Sequence, residues 1–429
     1  MSFVIPSILS MAFISLYSAV DIFYLAHYVS TNAMAAINIV IPYTNFVWGL
    51  AVMLSAGSAA LIGIMLGEGK TRKANKAFSL IFIFLVTAAI IMTIFSLIYL
   101  DNLVRFMGAG PNLFDDAYTY LYILVISTPI LMAKLFLEYY VRLDGKPAIA
   151  LAISFIGLVF NILFDHIAIA VLGWGVWGAG ISTALSITLS ALIGIVYFKY
   201  FAHNLHFVIP TWDGAFIYDS IVNGSSEMFT EISAGIVGVL FNITIIRYAG
   251  ENGVAAMAVI INLYYFLISI YLGIAAGAQP LISYSFGAFD KKAMSQVLHY
   301  SKVAILTSSL MIFTVAQIFG HYIISWYIGD NAQVIALAHS GFRLVSFCFL
   351  FLGVNVFISG LYSSIGNGKI SALIAICRSF IFVALALKVL PLFFGLNGVW
   401  WTIPTAEATT LLLSLIFYHL FIKNYCYRS

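Results

Sequence analysis

Charge is what this sequence has least of: 8% of its 429 residues are Asp, Glu, Lys or Arg, against about 25% in a soluble domain. With 63% of the residues hydrophobic, the chain cannot be an ordinary globular protein and belongs in a bilayer. Cysteine is nearly absent. Cys348, Cys377 and Cys426 show no CxxC spacing, which suggests neither a disulfide framework nor a zinc site and leaves buried apolar thiols as the plain reading. The eight histidines are scattered, and His203 with His206 lack a third ligand. No HExxH, GxSxG or phosphate loop occurs, and Gly67-Glu-Gly69-Lys70 lacks the strand and helix context of a P-loop, so the chain does not read as an enzyme and calls for no cofactor. The 19 Lys and Arg form no patch for nucleic acid. A basic leader is also missing ahead of the first apolar stretch, which reads as a retained span rather than a cleavable signal.

What is present is a succession of apolar stretches, each long enough to cross about 30 Å of hydrocarbon as a helix. Between turn signals they place helices near 3–27, 34–66, 75–99, 117–141, 147–171 and 176–200, then near 217–247, 253–284, 294–320, 332–362, 369–391 and 397–422. The fold class is an all-α polytopic membrane protein with twelve transmembrane helices. Counting loops from an inside N-terminus collects 12 basic residues on one side, among them Lys70, Arg72, Lys73, Lys146, Lys291, Lys292 and Lys369, and leaves Arg105 and Arg247 on the other. That bias predicts a multi-pass protein of the inner (plasma) membrane with both termini cytoplasmic.

The chain is also duplicated. Gly57-x3-Leu61-Ile62-x4-Gly67 recurs 220 positions later as Gly277-x3-Leu281-Ile282-x4-Gly287, and each copy runs into a basic turn. Offset by 223, Gly145-Lys146 matches Gly368-Lys369, and Gly175-Val176-Trp177 matches Gly398-Val399-Trp400. Six helices per half make parallel repeats about an axis along the membrane normal, hence two pseudo-symmetric six-helix lobes. The longest polar interruption divides them: 1–200 is expected to be an N-lobe, 201–215 a cytoplasmic interlobe linker and 216–429 a C-lobe.

Ionisable groups inside a span are costly and usually mark a pathway or a partner. Asp21, Asp165, Glu231 and Glu407 are such groups, and Asn161 stands one helical turn before Asp165 on the same face. Carboxylates with amide and hydroxyl oxygens suit two jobs: binding a hard cation such as Na⁺, or taking a proton. The repeat is asymmetric here, since Asp21, Asn161, Asp165 and Thr183 map onto Phe241, Ala384, Lys388 and Ala406. Concerted loss of four oxygen-bearing positions is what a site confined to one lobe produces. In the C-lobe, Glu227, Glu231, Arg378, Lys388 and Glu407 either pair or, for Glu231 and Glu407, attract a cationic substrate. Lys134 and Glu138, four residues apart, are expected to neutralise each other. The 36 Phe, 25 Tyr and 7 Trp can furnish a promiscuous cavity through stacking and cation–π contact, although most must serve lipid contact and packing.

These residues carry a family likeness. Pro6, Leu16-Tyr17 and Asp21; Gly57 to Gly67; Arg142-x2-Gly145; Asn161-x3-Asp165; Gly175-Val-Trp-Gly178-Ala-x3-Thr183; Gly277-x-Gln279-Pro280; and Gly395-Leu-x-Gly398-Val-Trp400 follow in order along the whole chain. In this the chain resembles the multidrug and toxic compound extrusion (MATE) family, within the superfamily that includes lipid-linked sugar flippases. The resemblance implies a central cavity and cation-coupled export by alternating access. It implies Asp21, Asn161, Asp165 and Thr183 as the N-lobe site for H⁺ or Na⁺, Tyr17 lining the same cavity, and Pro6 as a hinge in helix 1. His166 stands where many relatives have proline, and reads either as a titratable imidazole that modifies the site's proton response or as an interfacial histidine facing headgroups. Helix 10 lacks the acid some branches carry there, which puts a C-lobe cation site of that kind in doubt. The expected activity is secondary active export of a small amphipathic, cationic organic molecule by a monomer in contact with membrane lipids. A flippase for a lipid-linked precursor is the alternative, kept open by Arg343, Arg378 and Lys388.

Overall fold

A computed structural model describes the backbone of residues 3–328 and 331–422, and all their side chains except those of 17–19, 21–23, 25, 26, 31, 327 and 328. In hydrocarbon every backbone N–H and C=O needs an internal partner, and a helix supplies it within one segment. The described residues accordingly contain no strand. The first half comprises α1 (Val4–Tyr28), α2 (Thr31–Gly67), α3 (Thr71–Ile98), the short α4 (Leu100–Phe106), α5 (Phe114–Leu143), α6 (Pro147–Asp165) and α7 (Gly175–Tyr200). In the second half come α8 (Gly214–Gly287), α9 (Lys291–Ile328), α10 (Ala332–Val345), α11 (Phe349–Ser364), α12 (Gly368–Ile376), α13 (Phe382–Phe394) and α14 (Leu396–Phe421).

Ten described helices are long and apolar enough to span a membrane, and α1 adds a shorter apolar stretch, Val4–Leu16. The 74 residues of α8 would run to roughly 110 Å as one rod, several times a bilayer core. Its helical path breaks at Gly250, where φ is 59° and ψ −156°. It therefore supplies two passes, and the described helices make twelve. Two passes change pitch part-way: α6 continues into a π-helical turn, His166–Val171, and α12 joins α13 through another, Cys377–Ile381. A 3₁₀ turn, Ser346–Cys348, joins α10 to α11.

Turns at the basic end repeat as the sequence does. Gly69 and Gly145 take φ of 76° and 89°, a conformation open to glycine at little cost. Phe289, 220 positions after Gly69, takes φ 55° and is the one non-glycine residue there among those described. The left-handed conformation costs an L-residue about 1–2 kcal/mol, so the second copy of the turn keeps its shape at a penalty.

Apolar cores segregate by half. Clusters around Phe78, Phe136 and Tyr140 and around Val40, Leu121 and Val176 draw on residues up to 217; those around Phe342, Phe349 and Trp400 and around Ile282, Leu298 and Leu361 begin at 241. Each half lends its first turns to the other. Phe216 and Ile217 of α8 sit in the first cluster, and Val4 and Ile8 of α1 pack against the last.

The two-lobe molecule is seamed at the basic end by the duplicated motif itself. A side chain on Gly57 would strike the backbone of Ser220 and Gly224; on Gly277, 220 positions later, it would strike that of Phe3 and Val4. Gly67 lies equally close to the Tyr284 carbonyl, and Gly287 to that of Ile64. Only glycine permits such backbone-to-backbone approach. Amides then fasten it: Asn223 Nδ2 donates to the carbonyls of Gly57 (3.0 Å) and Ser363 (2.9 Å), and Gln279 Nε2 to that of Ala56 (3.1 Å).

The non-helical residues after α7 are strapped down rather than loose. The Asp144 carboxylate, at the C-terminus of α5, accepts the backbone N–H groups of His203, Asn204 and Leu205 at 2.7–3.0 Å together with the Tyr197 hydroxyl. The backbone N–H groups of His206 and Val208 donate to Asn75 Oδ1 and Ser79 Oγ of α3, and the Phe207 ring packs tilted or edge-on among Phe78, Phe82 and Phe198.

Candidate cation and substrate site

Asn161 and Asp165 end α6 with no exposed surface, and Thr183 on the packed neighbour α7 is 6% exposed. Approach of the two helices is set by small residues: Gly157 faces Ser190 Oγ, and Gly178 lies against the Ala168 backbone. The π turn begins at His166, directly after Asp165. A π turn shifts the register of everything beyond it, and such turns concentrate at functional sites. His166 is exposed and meets the Tyr24 ring edge-on at 6.2 Å. α1 packs against α6, which brings the helix of Tyr17 and Asp21 to this place; their side chains lie outside the described residues. Pro6 occupies the first turn of α1, where its missing N–H costs no helical bond.

A second charged group forms in the other half. Arg378, 8% exposed on the π turn between α12 and α13, holds Nη1 3.8 Å from Glu407 Oε1 of α14. Asn355 of α11 donates to Glu407 Oε2 at 2.8 Å and to its backbone carbonyl at 2.9 Å. Glu227 lies within electrostatic reach of Arg378, and Glu231 within that of Glu227. Glu231 also faces the opposite lobe, because a side chain on Gly49 of α2 would touch its Cβ. Tyr264 is within reach of Glu407 and Arg378, and Tyr265 within that of Glu231. Three carboxyl groups and one guanidinium thus stand near tyrosines in the second half, with Glu231 against α2 of the first. Asn355 was not legible in the sequence, since nothing marks one amide of α11 until α14 is laid beside it.

Other sequence-derived assignments shift. Lys388 is not enclosed: it is exposed on a face it shares with Leu385, Val389 and Leu392, which is how a lysine snorkels from lipid. Arg343 is exposed as well. The Lys134–Glu138 pair, 2.7 Å apart, proves to be part of a larger network in which Arg142 Nη2 and Ser154 Oγ also bind Glu138. Cys348 and Cys377 are buried free thiols, and Cys426 lies outside the described residues.

The order of these elements can be set beside known proteins. The MatE family model matches residues 6–167 and 228–387, one stretch in each half. The chain belongs to the MATE family. Among its MATE relatives, the multidrug export protein MepA of Staphylococcus haemolyticus (strain JCSC1435) is 24% identical over 419 residues, covering 97% of this chain and 91% of the relative. The solved structure of MATE in complex with MaL6 superposes with a TM-score of 0.94 at 20% identity, over 99% of this chain and 96% of that one. A MOP superfamily transporter from Pyrococcus furiosus Vc1 (DSM3638), described as having a binding pocket of reverse polarity, gives 0.92 at 21% identity over 99% and 95%. As a MATE protein the chain is a multi-pass membrane transporter and not an enzyme.

Proposed function

We propose that the chain is a secondary exporter that moves small amphipathic organic cations out of the cell, driven by inward flow of H⁺ or Na⁺ through alternating access. The observation that carries this reading is the fully buried Asn161–Asp165 pair beside Thr183, with no counterpart in the repeat. A carboxylate buried in a membrane protein is suited to take up a cation or a proton, and its affinity differs between two states whose packing around it differs. Asp21 and Tyr17 of α1 are the members of the coupling set and of the cavity that the family likeness implies. Glu231, Glu407 and Arg378 are the substrate-facing group on this reading, and the relatives' description as multidrug export proteins supports export of drug-like molecules. On this reading residues 1–200 and 216–429 are the moving lobes, 201–215 the linker, and the basic end, with both termini, is cytoplasmic at the plasma membrane.

The flippase alternative needs a basic cavity for pyrophosphate. Of its three supports, Arg343 and Lys388 are exposed and Arg378 is matched to Glu407, so the substrate group keeps an acidic balance. Ethidium transport in proteoliposomes, with separately imposed Na⁺ and pH gradients, tests the proposal. Uptake against the dye gradient that follows one of the two ions is expected; indifference to both gradients would overturn it.

A further inference from the structure

The two copies of the turn at the basic end close with the same backbone bonds. After α2, the Lys70 N–H donates to Met65 O at 2.9 Å and the Gly69 N–H to Leu66 O at 3.0 Å; after α8, the Asp290 N–H donates to Ser285 O at 3.0 Å and the Phe289 N–H to Phe286 O at 3.2 Å. This is the helix stop in which one residue takes the left-handed conformation, a place that glycine fills at little cost. Gly69 fills it in the first copy, and Phe289 fills it in the second at φ 55°. A backbone outlier kept at a cost points to a use for the side chain. That use is not packing within the fold: the Phe289 ring is 84% exposed and contacts no other ring among the described residues.

The place of the turn decides what such a ring can serve. It joins the second pass of α8, which ends at Gly287, to the span Lys291–Trp326, so it lies where hydrocarbon gives way to headgroups, the depth at which aromatic side chains anchor. Gly67 lies against the backbone of Tyr284 and Ala288, which sets the first copy of the turn beside the second across the seam. Together the two turns expose Lys70, Arg72, Lys73, Lys291 and Lys292. Both carboxylates among them are engaged locally: Glu68 pairs with Lys70 at 2.7 Å, and Asp290 Oδ1 accepts the Ala293 N–H at 2.9 Å at the start of α9. Five cations against two carboxylates leave the patch basic, with the Phe289 ring exposed in it.

We propose that the paired turns are a docking surface for anionic lipid: Phe289 seats its ring at the headgroup and acyl boundary of the leaflet at the basic end, and Arg72, Lys73, Lys291 and Lys292 bind the phosphate groups beside it. Insertion of an apolar side chain and attraction of basic ones to anionic headgroups reinforce each other. Burial of the ring in lipid offsets the cost of the left-handed backbone at Phe289, which a turn facing water would leave unrecovered. A soluble anion would satisfy the cations but not the ring, so the partner is a lipid surface rather than free phosphate. Because both halves supply the cations, lipid bound across the two turns favours the conformation in which they adjoin, by mass action. The surface is separate from the coupling and substrate groups.

Thermal unfolding of the purified full chain tests it, in dodecyl maltoside and in nanodiscs of phosphatidylcholine alone or mixed with phosphatidylglycerol. The wild-type Tm is expected to rise from neutral to anionic discs. Phe289→Gly relieves the backbone, so in detergent it should melt no lower than the wild type, yet it should lose most of that rise; the double variant Lys291→Gln, Lys292→Gln should lose it too. No rise in the wild type, or the same rise in Phe289→Gly, would overturn the proposal. So would a Phe289→Gly protein that melts well below the wild type in detergent, because the ring would then be packing within the protein. Glycerol phosphate added to the detergent sample supplies the headgroup without the lipid: no shift is expected, and a rise equal to that in anionic discs would mark a free-phosphate site and overturn the lipid surface.

Discussion

Glu407 and Arg378 stabilise each other only while both are present. With side chains 4% and 9% exposed, removal of either leaves a buried charge unmatched, a change that costs about 3–5 kcal/mol in tight pairs. The 3.8 Å separation argues for the lower end. Glu407→Ala should therefore lower the melting temperature markedly, and Arg378→Met placed in the same chain should recover most of the loss. Single and double variants melting alike would mean that the pair has no energetic coupling. Asp144 invites a different test, since its carboxylate collects four donors from the linker and Tyr197. Hydrogen bonds to a charged acceptor contribute about 1.5–3 kcal/mol apiece and are not additive. Asp144→Ala should free the strap and speed proteolysis between 203 and 213 without abolishing the helical fold. An unchanged cleavage rate would show that Phe207 and its ring partners hold the strap alone.

At the scale of elements, the seam between α2 and α8 depends on where glycine stands. Gly224→Ala would drive a methyl group into the Met53 carbonyl, a contact backbone cannot yield to; overpacking of this kind costs about 1–3 kcal/mol. Gly238→Ala, on the same helix but with no heavy atom near the added carbon, should change stability by no more than ~1 kcal/mol, in the favourable direction that helix propensity sets. Equal effects from the two changes would contradict a close-packed seam. The duplicated glycines were legible in the sequence because close approach demands one residue type at a fixed spacing. The spans were legible because hydropathy and turn residues mark both ends of a helix, and the break at Gly250 falls between the expected helices. The π turns after Asp165 and around Arg378 were not, because a change of hydrogen-bond register leaves no compositional trace. Nor was the burial of Arg142 on Glu138: four residues' spacing gives the helix face, but only packing of α5 against α6 shows that the face is enclosed.

For the whole molecule, export by alternating access requires the lobes to part at the end where they now touch. Gly63 and the Ser283 hydroxyl face each other across the seam, so cysteines at both positions, in a chain whose Cys348, Cys377 and Cys426 are serine, should cross-link on oxidation. Transport should then stop and return on reduction; undiminished export by the fully cross-linked protein would mean that the seam does not open. The central claim, however, is that a carboxylate buried in one lobe couples the ion to this motion. Asp165→Asn keeps the shape and the packing of α6 on α7 while removing the charge. Measured in proteoliposomes under whichever Na⁺ or pH gradient drives the wild type, this variant should melt within a few degrees of it, still bind ethidium, and lose gradient-driven transport. Gradient-driven transport at the wild-type rate would contradict the account.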